Sequence, residues 1–545
     1  MGPQNYSVSA GQESSNGSRV AAVLQRAPLL KVTVSAPMKC NLNSLLLLAL
    51  LTTALGLGSC SGFQPPNRCS GVTCTLPNAT ASLTLAARPL TPPPGTSILA
   101  FSLTITSVSL TPSSGSDVNV PLPGTVYTAD LTRLQSDSAF LGEAIRAIPP
   151  GTYTKLTLAV NGSRVIYCTQ PVPGTPGCAS GSIATVSGGA TVLSLSSAPF
   201  PLTLADNQIA GLRVQFDMSK ALTINAATQA VSSVDLTKAG VVNAVSLPPA
   251  ASSLGNNEVE FIEDVAGVVS SVTGSSSTLT LKTAERGSIT VTANPSTFYS
   301  PNCTSPPINL TSDFNCVKAN QLASMDVSLN KDGTFTLLEY DPLDAVASDW
   351  IEGVVTATPS SSTQFEVVTN DVFLASTGSL IANNVSLGDR ITVNLKSGVM
   401  FGVDSKGLTL PADATTFQSA NDTSALRPGQ TVAVRVASFT AASGSTPGSV
   451  SVDFVDLRFT RVAGAVFSSA PPSDFFIQDL PPFLGINTQE KVQLTQAAAP
   501  QTAPTNFDGV ADATGLSNGQ VVSIRAMYFG PGSAIPFSAA KVRKH

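Results

Sequence analysis

An all-β fold in several modules follows from three features of this 545-residue sequence. Charged residues make up only 12% of it while Ser, Thr, Gly, Val and Pro are abundant, the balance of a β-rich exported chain. Apolar residues alternate with hydroxyl residues in many short runs bounded by Gly and Pro. A glycine-opened pattern recurs in the second half. The length exceeds what one core serves, so the expectation is a β-sandwich over 97–249 followed by three small β-barrels over 259–347, 348–460 and 461–545.

Residues 1–37 are polar and irregular, and are read as a misassigned extension ahead of a second start at Met38. Met38 and Lys39 precede an apolar run from Leu45 to Leu57 that is too short to span a bilayer, which takes about 20 residues. With its short positive flank it reads as a secretory signal over 38–59. The run ends Leu57-Gly58-Ser59-Cys60, and this resembles bacterial lipoprotein signals, which implies acylation of Cys60. Ser61 follows the cysteine, and in similar lipoproteins the absence of Asp there favours the outer membrane. Residues 60–96, with Pro65-Pro66 and Pro92-Pro93-Pro94-Gly95, read as an extended tether.

Six cysteines remain beyond the leader: Cys69 and Cys74, Cys168 and Cys178, Cys303 and Cys316. They fall into three local pairs, as expected of disulfides in an oxidising compartment. Zinc is the rival reading, but no histidine stands near any pair.

β-type alternation begins with Leu99 to Ile105 and returns at Tyr153–Val160, Thr191–Leu195 and Leu212–Phe216, with one short helix expected around Asp137–Ala147. Beyond it, three segments open with a glycine between β residues: Ala266-Gly267-Val268, Glu352-Gly353-Val354 and Ala463-Gly464-Ala465. Each later has a hydroxyl residue two before a phenylalanine, at Ser296 and Phe298, Thr415 and Phe417, and Thr505 and Phe507. Leu426-Arg427-Pro428-Gly429-Gln430 and Leu516-Ser517-Asn518-Gly519-Gln520 then introduce alternating strands. Leu387-Gly388-Asp389 is a related turn, and Asn320-Gln321 stands at the equivalent place in the first unit, without the glycine. Glycine supplies the positive backbone dihedral of such a turn.

This unit resembles a small-barrel domain of unknown function widespread in exported bacterial proteins. The region Ile98–Pro249, with Ala129-Asp130-Leu131, Pro150-Gly151-Thr152-Tyr153 and Phe216-Asp217, resembles a second domain of unknown function found as the N-terminal module of such lipoproteins. Neither resemblance implies an activity.

Catalytic chemistry has few places to stand. The one histidine is His545, the last residue, so histidine-based triads and metal sites require the terminus to fold back. Gly515-Leu516-Ser517-Asn518-Gly519 matches a nucleophile elbow in letters, but it is the recurring turn rather than a strand-to-helix corner. Ser328/Lys331 and Ser538/Lys541 have Ser–Lys spacing only in β-type sequence, where residues three apart face opposite ways. Carboxylates cluster at Glu258, Glu260, Glu263 and Asp264, and at Asp341, Asp344 and Asp349; both clusters read as solvated linker charge. Glu260, Glu263, Asp341 and Asp344 are the weak calcium candidates and the only route to a paired-carboxylate glycan hydrolase. Asn330-Lys331-Asp332-Gly333 reads as a hairpin, and Trp350 as an apolar plug in preference to a sugar platform.

No phosphate-binding glycine motif is present and the 29 Lys and Arg are scattered, so neither nucleotide nor nucleic acid is expected. No cofactor is expected. The function expected is a non-enzymatic, lipid-anchored envelope protein binding glycan or protein, with a carboxylate-dependent hydrolase and a structural spacer as alternatives.

Overall fold

The computed structural model describes residues 79–545 apart from 91–94, 121, 123–125, 142–147, 170–173, 180, 206–207, 248–257, 284–286, 300–313, 331–333, 343–347, 376–377, 406–407, 409, 445, 487 and 496–504. The signal, Cys60, Cys69, Cys74, Cys303 and Asp344 lie outside the described residues, as do the side chains of Glu258, Glu260, Glu263 and Asp264. Among the described residues no helix is long and apolar enough to cross a membrane.

Two sheets share the first core. One has the order β13-β10-β1-β5, built from β1 (Thr80–Arg88), β5 (Ala139–Phe140), β10 (Ile209–Asp217) and β13 (Val242–Leu247). The other is centred on two long antiparallel strands, β2 (Thr96–Pro112) and β6 (Gly151–Thr169). β3 (Val118–Val120) and β4 (Tyr127–Asp130) pair with β2; β7 (Ile183–Gly188), β8 (Thr191–Leu195) and β9 (Leu202–Leu204) pair with β6. Alternate residues of each sheet, among them Leu83, Leu85, Phe101, Leu103, Leu156, Leu158, Val214 and Phe216, meet in the core between them. A short helix, α1 (Met218–Ala221), capped by Asp217, leads into the ribbon β11 (Leu222–Ile224) and β12 (Val231–Val234).

Two expectations change here. The stretch Thr80–Arg88, assigned to the tether, is β1, which lies inside the sheet and pairs in parallel with β10 along its whole length. Its alternation, Leu83-Thr84-Leu85, was visible, but the prolines on either side concealed it. The helix expected at Asp137–Ala147 gives way at its start to strand β5, which adds to β1, while 142–147 lie outside the described residues.

The next two modules are closed five-stranded barrels. β14 (Glu258–Thr273), β15 (Thr278–Thr283), β16 (Gly287–Tyr299), β17 (Leu322–Asn330) and β18 (Phe335–Pro342) close in the order β14-β15-β16-β18-β17. β19 (Trp350–Val355), β20 (Gln364–Phe373), β21 (Arg390–Val403), β22 (Thr431–Thr440) and β23 (Gly448–Arg458) close in the order β19-β20-β21-β23-β22, with helix α2 (Ala412–Gln418) packed on β21. The last module runs β24 (Thr460–Ala470), β25 (Asp474–Gln478), β26 (Glu490–Leu494), β27 (Asn506–Asp508), β28 (Val521–Tyr528) and β29 (Phe537–Lys544). Its order is β26-β25-β24-β28-β29-β27, and an added β26–β29 pairing brings the ring round.

In each barrel the third strand pairs in parallel with the last and is broken once by an irregularity, at Ala293/Phe298, Leu395/Met400, or between β26 and β27. A hydroxyl locks the break twice. Thr297 Oγ1 accepts the Asn294 N–H (2.9 Å) and donates to the Leu337 carbonyl (2.7 Å). Thr505 Oγ1 accepts the Thr495 N–H (2.8 Å) and donates to the Ala539 carbonyl (2.8 Å). By register the counterpart of Thr505 and Phe507 is Thr297 and Tyr299, one residue beyond the Ser296/Phe298 pairing expected. In the second barrel it is Val399 and Phe401, whereas Thr415 and Phe417 lie on α2.

The Gly-Gln turns share one hydrogen-bond pattern. Gln430 Oε1 accepts the Arg427 N–H (2.7 Å), while the Gln430 N–H returns to the Arg427 carbonyl (3.1 Å). Gln520 does the same to Ser517, Gln321 to Lys318, and Asp389 to Ser386. The residue before the lock is left-handed in all four: Gly429, Gly519, Gly388 and, lacking the glycine, Asn320 at φ 65°. Asparagine tolerates that region better than other side chains, which is how the first barrel keeps the geometry.

The glycines that open the second and third units serve a different purpose. A Cβ on Gly464 would lie 2.4 Å from the Gln478 carbonyl oxygen, and on Gly353 2.7 Å from that of Val368, so the neighbouring strand passes too close for any side chain. Gly464→Ala is expected to cost about 1–3 kcal/mol through forced strand displacement, read as a lower urea midpoint.

Candidate functional site

The modules meet across buried arginines. Arg461, at the start of the third barrel, donates from Nε to Asp137 of the sandwich (2.7 Å) and from Nη1 to Glu352 of the second barrel (3.3 Å). Arg133 of the sandwich reaches the same Glu352 (3.3 Å) and Asp371 (2.7 Å). Arg543 on β29 pairs with Asp508 (2.7 Å) and donates to the Asp137 carbonyl (2.7 Å) and Ser138 Oγ (2.8 Å). Arg525 on β28 pairs with Asp326 of the first barrel (3.1 Å) beneath the ring of Phe459. Arg133, Arg525 and Arg543 are buried, the Arg461 side chain is 4% exposed, and most of their partners are buried too, so these charges meet out of water.

The sandwich also sends a loop between the last two barrels. Cys168 and Cys178 are joined as a disulfide, Cα atoms 5.7 Å apart; in the chain-entropy view a loop of this size is worth roughly 2–3 kcal/mol. The Gly177 N–H donates to the Phe483 carbonyl (2.6 Å) and the Cys178 N–H to the Thr356 carbonyl (2.7 Å). Cys316 is likewise disulfide-bonded.

The carboxylates that the sequence marked as linker charge are placed otherwise. Asp341 is 2% exposed and faces the Arg458 guanidinium (3.4 Å), which also holds Asp404 and Asp456. Asp349 is 2% exposed and accepts N–H groups from Ala375, Leu380 and Ile381, pinning the loop after β20. Burial is affordable for both because each has its donors. Among the described residues no group of three or more His, Cys, Asp or Glu is arranged to hold a metal ion.

At the Arg458 cluster three carboxylates share one guanidinium. Burial pushes Asp456 up to about 7, Arg458 pulling it down and Asp404 and Glu352 pushing it further up. The folded protein therefore keeps a proton that the unfolded chain releases near pH 4. The associated stability is complete below about pH 4 and lost by about pH 7. Asp456→Asn, which mimics the protonated form, should close this window: melting temperatures at pH 4.5 and 7.5 should fall further apart in the native protein than in the variant.

The C-terminus does fold back. The His545 N–H donates to the Val521 carbonyl (3.1 Å), and its Nε2 lies 2.8 Å from Ser523 Oγ. This is a serine–imidazole contact, but Ser523 has no exposed surface. Ser517 sits in the turn described above with its N–H on Gln520, and Ser538 and Lys541 share the strand β29. Trp350 is 3% exposed and packs edge-on against Phe454. Asn330 closes its hairpin on Thr334 (2.8 Å).

Among the described residues, two openings stand out for their position. A cavity of about 60 Å³ lies where sandwich, second and third barrels converge, lined by Arg133, Gln135, Asn370, Thr431 and Arg461; it has the size of a few solvent molecules. A cleft of about 330 Å³ lies on the sandwich between the stretches 192–198 and 236–244, with Val192, Ser194, Ser197, Lys238 and Asn243 in its walls. Its floor is formed by Leu193 and Ala244, both buried. The alternation of β8 was legible in sequence; the cleft was not, since its other wall is 40 residues further on.

The fold and cleft define a multi-module, all-β protein whose N-terminal sandwich carries the opening. Residues 84–244, from within β1 to within β13, match the Domain of unknown function (DUF4382). No curated protein matches the chain.

Proposed function

We propose that the chain is an exported lipoprotein, anchored through Cys60, whose interlocked sandwich and barrels form a non-catalytic interaction module at the cell envelope, its three barrels being copies of one unit. The observation that carries the interaction reading is the cleft, an open groove on a scaffold whose buried acids and arginines hold the modules to one another. The Cys168–Cys178 disulfide supports an oxidising compartment, and the four shared turns support copies of one unit. The spacer alternative draws on the same interlocking and predicts no ligand. The hydrolase alternative is weakened by Asp341, whose carboxylate lies against Arg458.

Metabolic labelling with a palmitate analogue, followed by mass spectrometry, tests the anchoring. The expected result is a membrane-bound chain beginning at acylated Cys60, and a soluble, unlabelled Cys60→Ala variant. An unprocessed, thiol-reduced chain in the cell interior would overturn it.

A further inference from the structure

We propose that β1 is a mechanical clamp: the strand through which tension on the chain ahead of it enters the folded body, held lengthwise so that its whole ladder resists at once. The source of that tension is the anchor at Cys60, so the physiological side of the proposal rests on the anchoring reading above.

β1 is the first strand among the described residues, and the chain ahead of it leaves from its Thr80 end. The hold starts at that end, where Ala79 exchanges two backbone hydrogen bonds with Ile148, at 3.1 and 3.2 Å. All nine residues from Thr80 to Arg88 then pair in parallel with Ile209–Asp217, and no register shift interrupts them. β5 covers part of the other edge, through Thr84 and Leu85, so β1 lies inside the sheet. Both faces are covered too. Leu83, Leu85 and Ala87 belong to the sandwich core. Thr84 and Ala86, on the opposite face, are 0% and 2% exposed, and the turn Arg133–Gln135 packs on the strand. At the far end Arg88 Nε donates to Gln215 Oε1 (3.2 Å).

Direction decides what such a ladder can bear. Pulled sideways, a strand peels from its neighbour one hydrogen bond at a time, each bond taking the full load alone. Pulled along its axis, it cannot slide until the ladder breaks together, and that unfolding barrier sets the force. The parallel partner fixes which case holds here: β10 runs the same way and continues beyond Asp217 into α1, while the chain ahead of Thr80 leaves at the opposite end. The third barrel is fastened nearer the far end. Arg543 donates to the Asp137 carbonyl (2.7 Å) and to Ser138 Oγ (2.8 Å), immediately before β5, whose Ala139 pairs with Leu85. Tension between the anchor and the body therefore runs along β1.

Single-molecule pulling on the mature chain tests this, with one handle ahead of β1 and the second at a cysteine placed in an exposed position of the same sandwich. Ala239→Cys lies at the Arg88 end, close to Val241, whose carbonyl takes the Asp217 N–H (2.7 Å), and loads β1 along its length. Gln208→Cys lies at the Thr80 end, next to Ile209, and peels β1 from its start. At equal loading rate the first rupture should need at least about twofold more force with the Ala239→Cys handle. Lys238→Cys and Ala205→Cys, also exposed, repeat the two geometries should either handle disturb folding. Equal forces in the two geometries, or a first step whose length shows another strand yielding before β1, would overturn the clamp. The measurement needs no lipid, so its failure removes the clamp and leaves acylation of Cys60 standing, while a soluble, unacylated chain removes the load and leaves the force difference.

Discussion

Arg461→Ala is expected to destabilise the protein by about 3–5 kcal/mol, the cost of removing one partner from a buried charge pair. Arg461 is 4% exposed and lies between Asp137 and Glu352, themselves 6% and 7% exposed. Truncation leaves two carboxylates in low-dielectric surroundings. Arg133 still reaches Glu352, but the Nε–H that Arg461 gives Asp137 has no replacement from the alanine. Chemical denaturation followed by the fluorescence of Trp350 measures the loss. A change below about 1 kcal/mol would place this arginine with ordinary surface pairs.

Removing the third barrel, residues 460–545, is expected to leave an insoluble remainder. Its core is continuous with the neighbouring modules: Leu99, Ala100, Ile166 and the Cys168–Cys178 disulfide of the sandwich, and Val368 of the second barrel, pack in one cluster with Phe475, Leu484 and Tyr528. Met527, Phe529 and Ala540 conversely belong to the core of the second barrel. At about 25 cal/mol per Å² of apolar surface, uncovering these faces would cost several kcal/mol, and the exposed patch would drive aggregation. Expression of residues 61–459 against 61–545, compared by soluble yield and gel filtration, separates the outcomes. A monodisperse, soluble truncation would mean modules that fold independently.

These two effects mark where sequence stopped being informative. Strands were legible because side-chain alternation is local: Leu99–Ile105, Tyr153–Val160, Thr191–Leu195 and Leu212–Phe216 all lie within strands. The Gly-Gln turns were legible for the same reason, since each closes over four residues. The interlocking was not, because Arg461 and Asp137 are 324 positions apart and Arg525 and Asp326 are 199 apart. Asp341 and Asp349 resembled solvated linker charge because an acid beside a module boundary looks alike whether it meets water or an arginine from the next barrel. The cleft was hidden similarly: its two walls are far apart in sequence, and neither β8 nor β13 carries a residue that announces it.

The central claim is that sandwich and barrels form one cooperative body rather than a string of beads, and scanning calorimetry of the mature protein tests it most directly. A single transition, with calorimetric and van't Hoff enthalpies agreeing, is the predicted result. Separate transitions, each surviving Arg461→Ala unchanged, would contradict it.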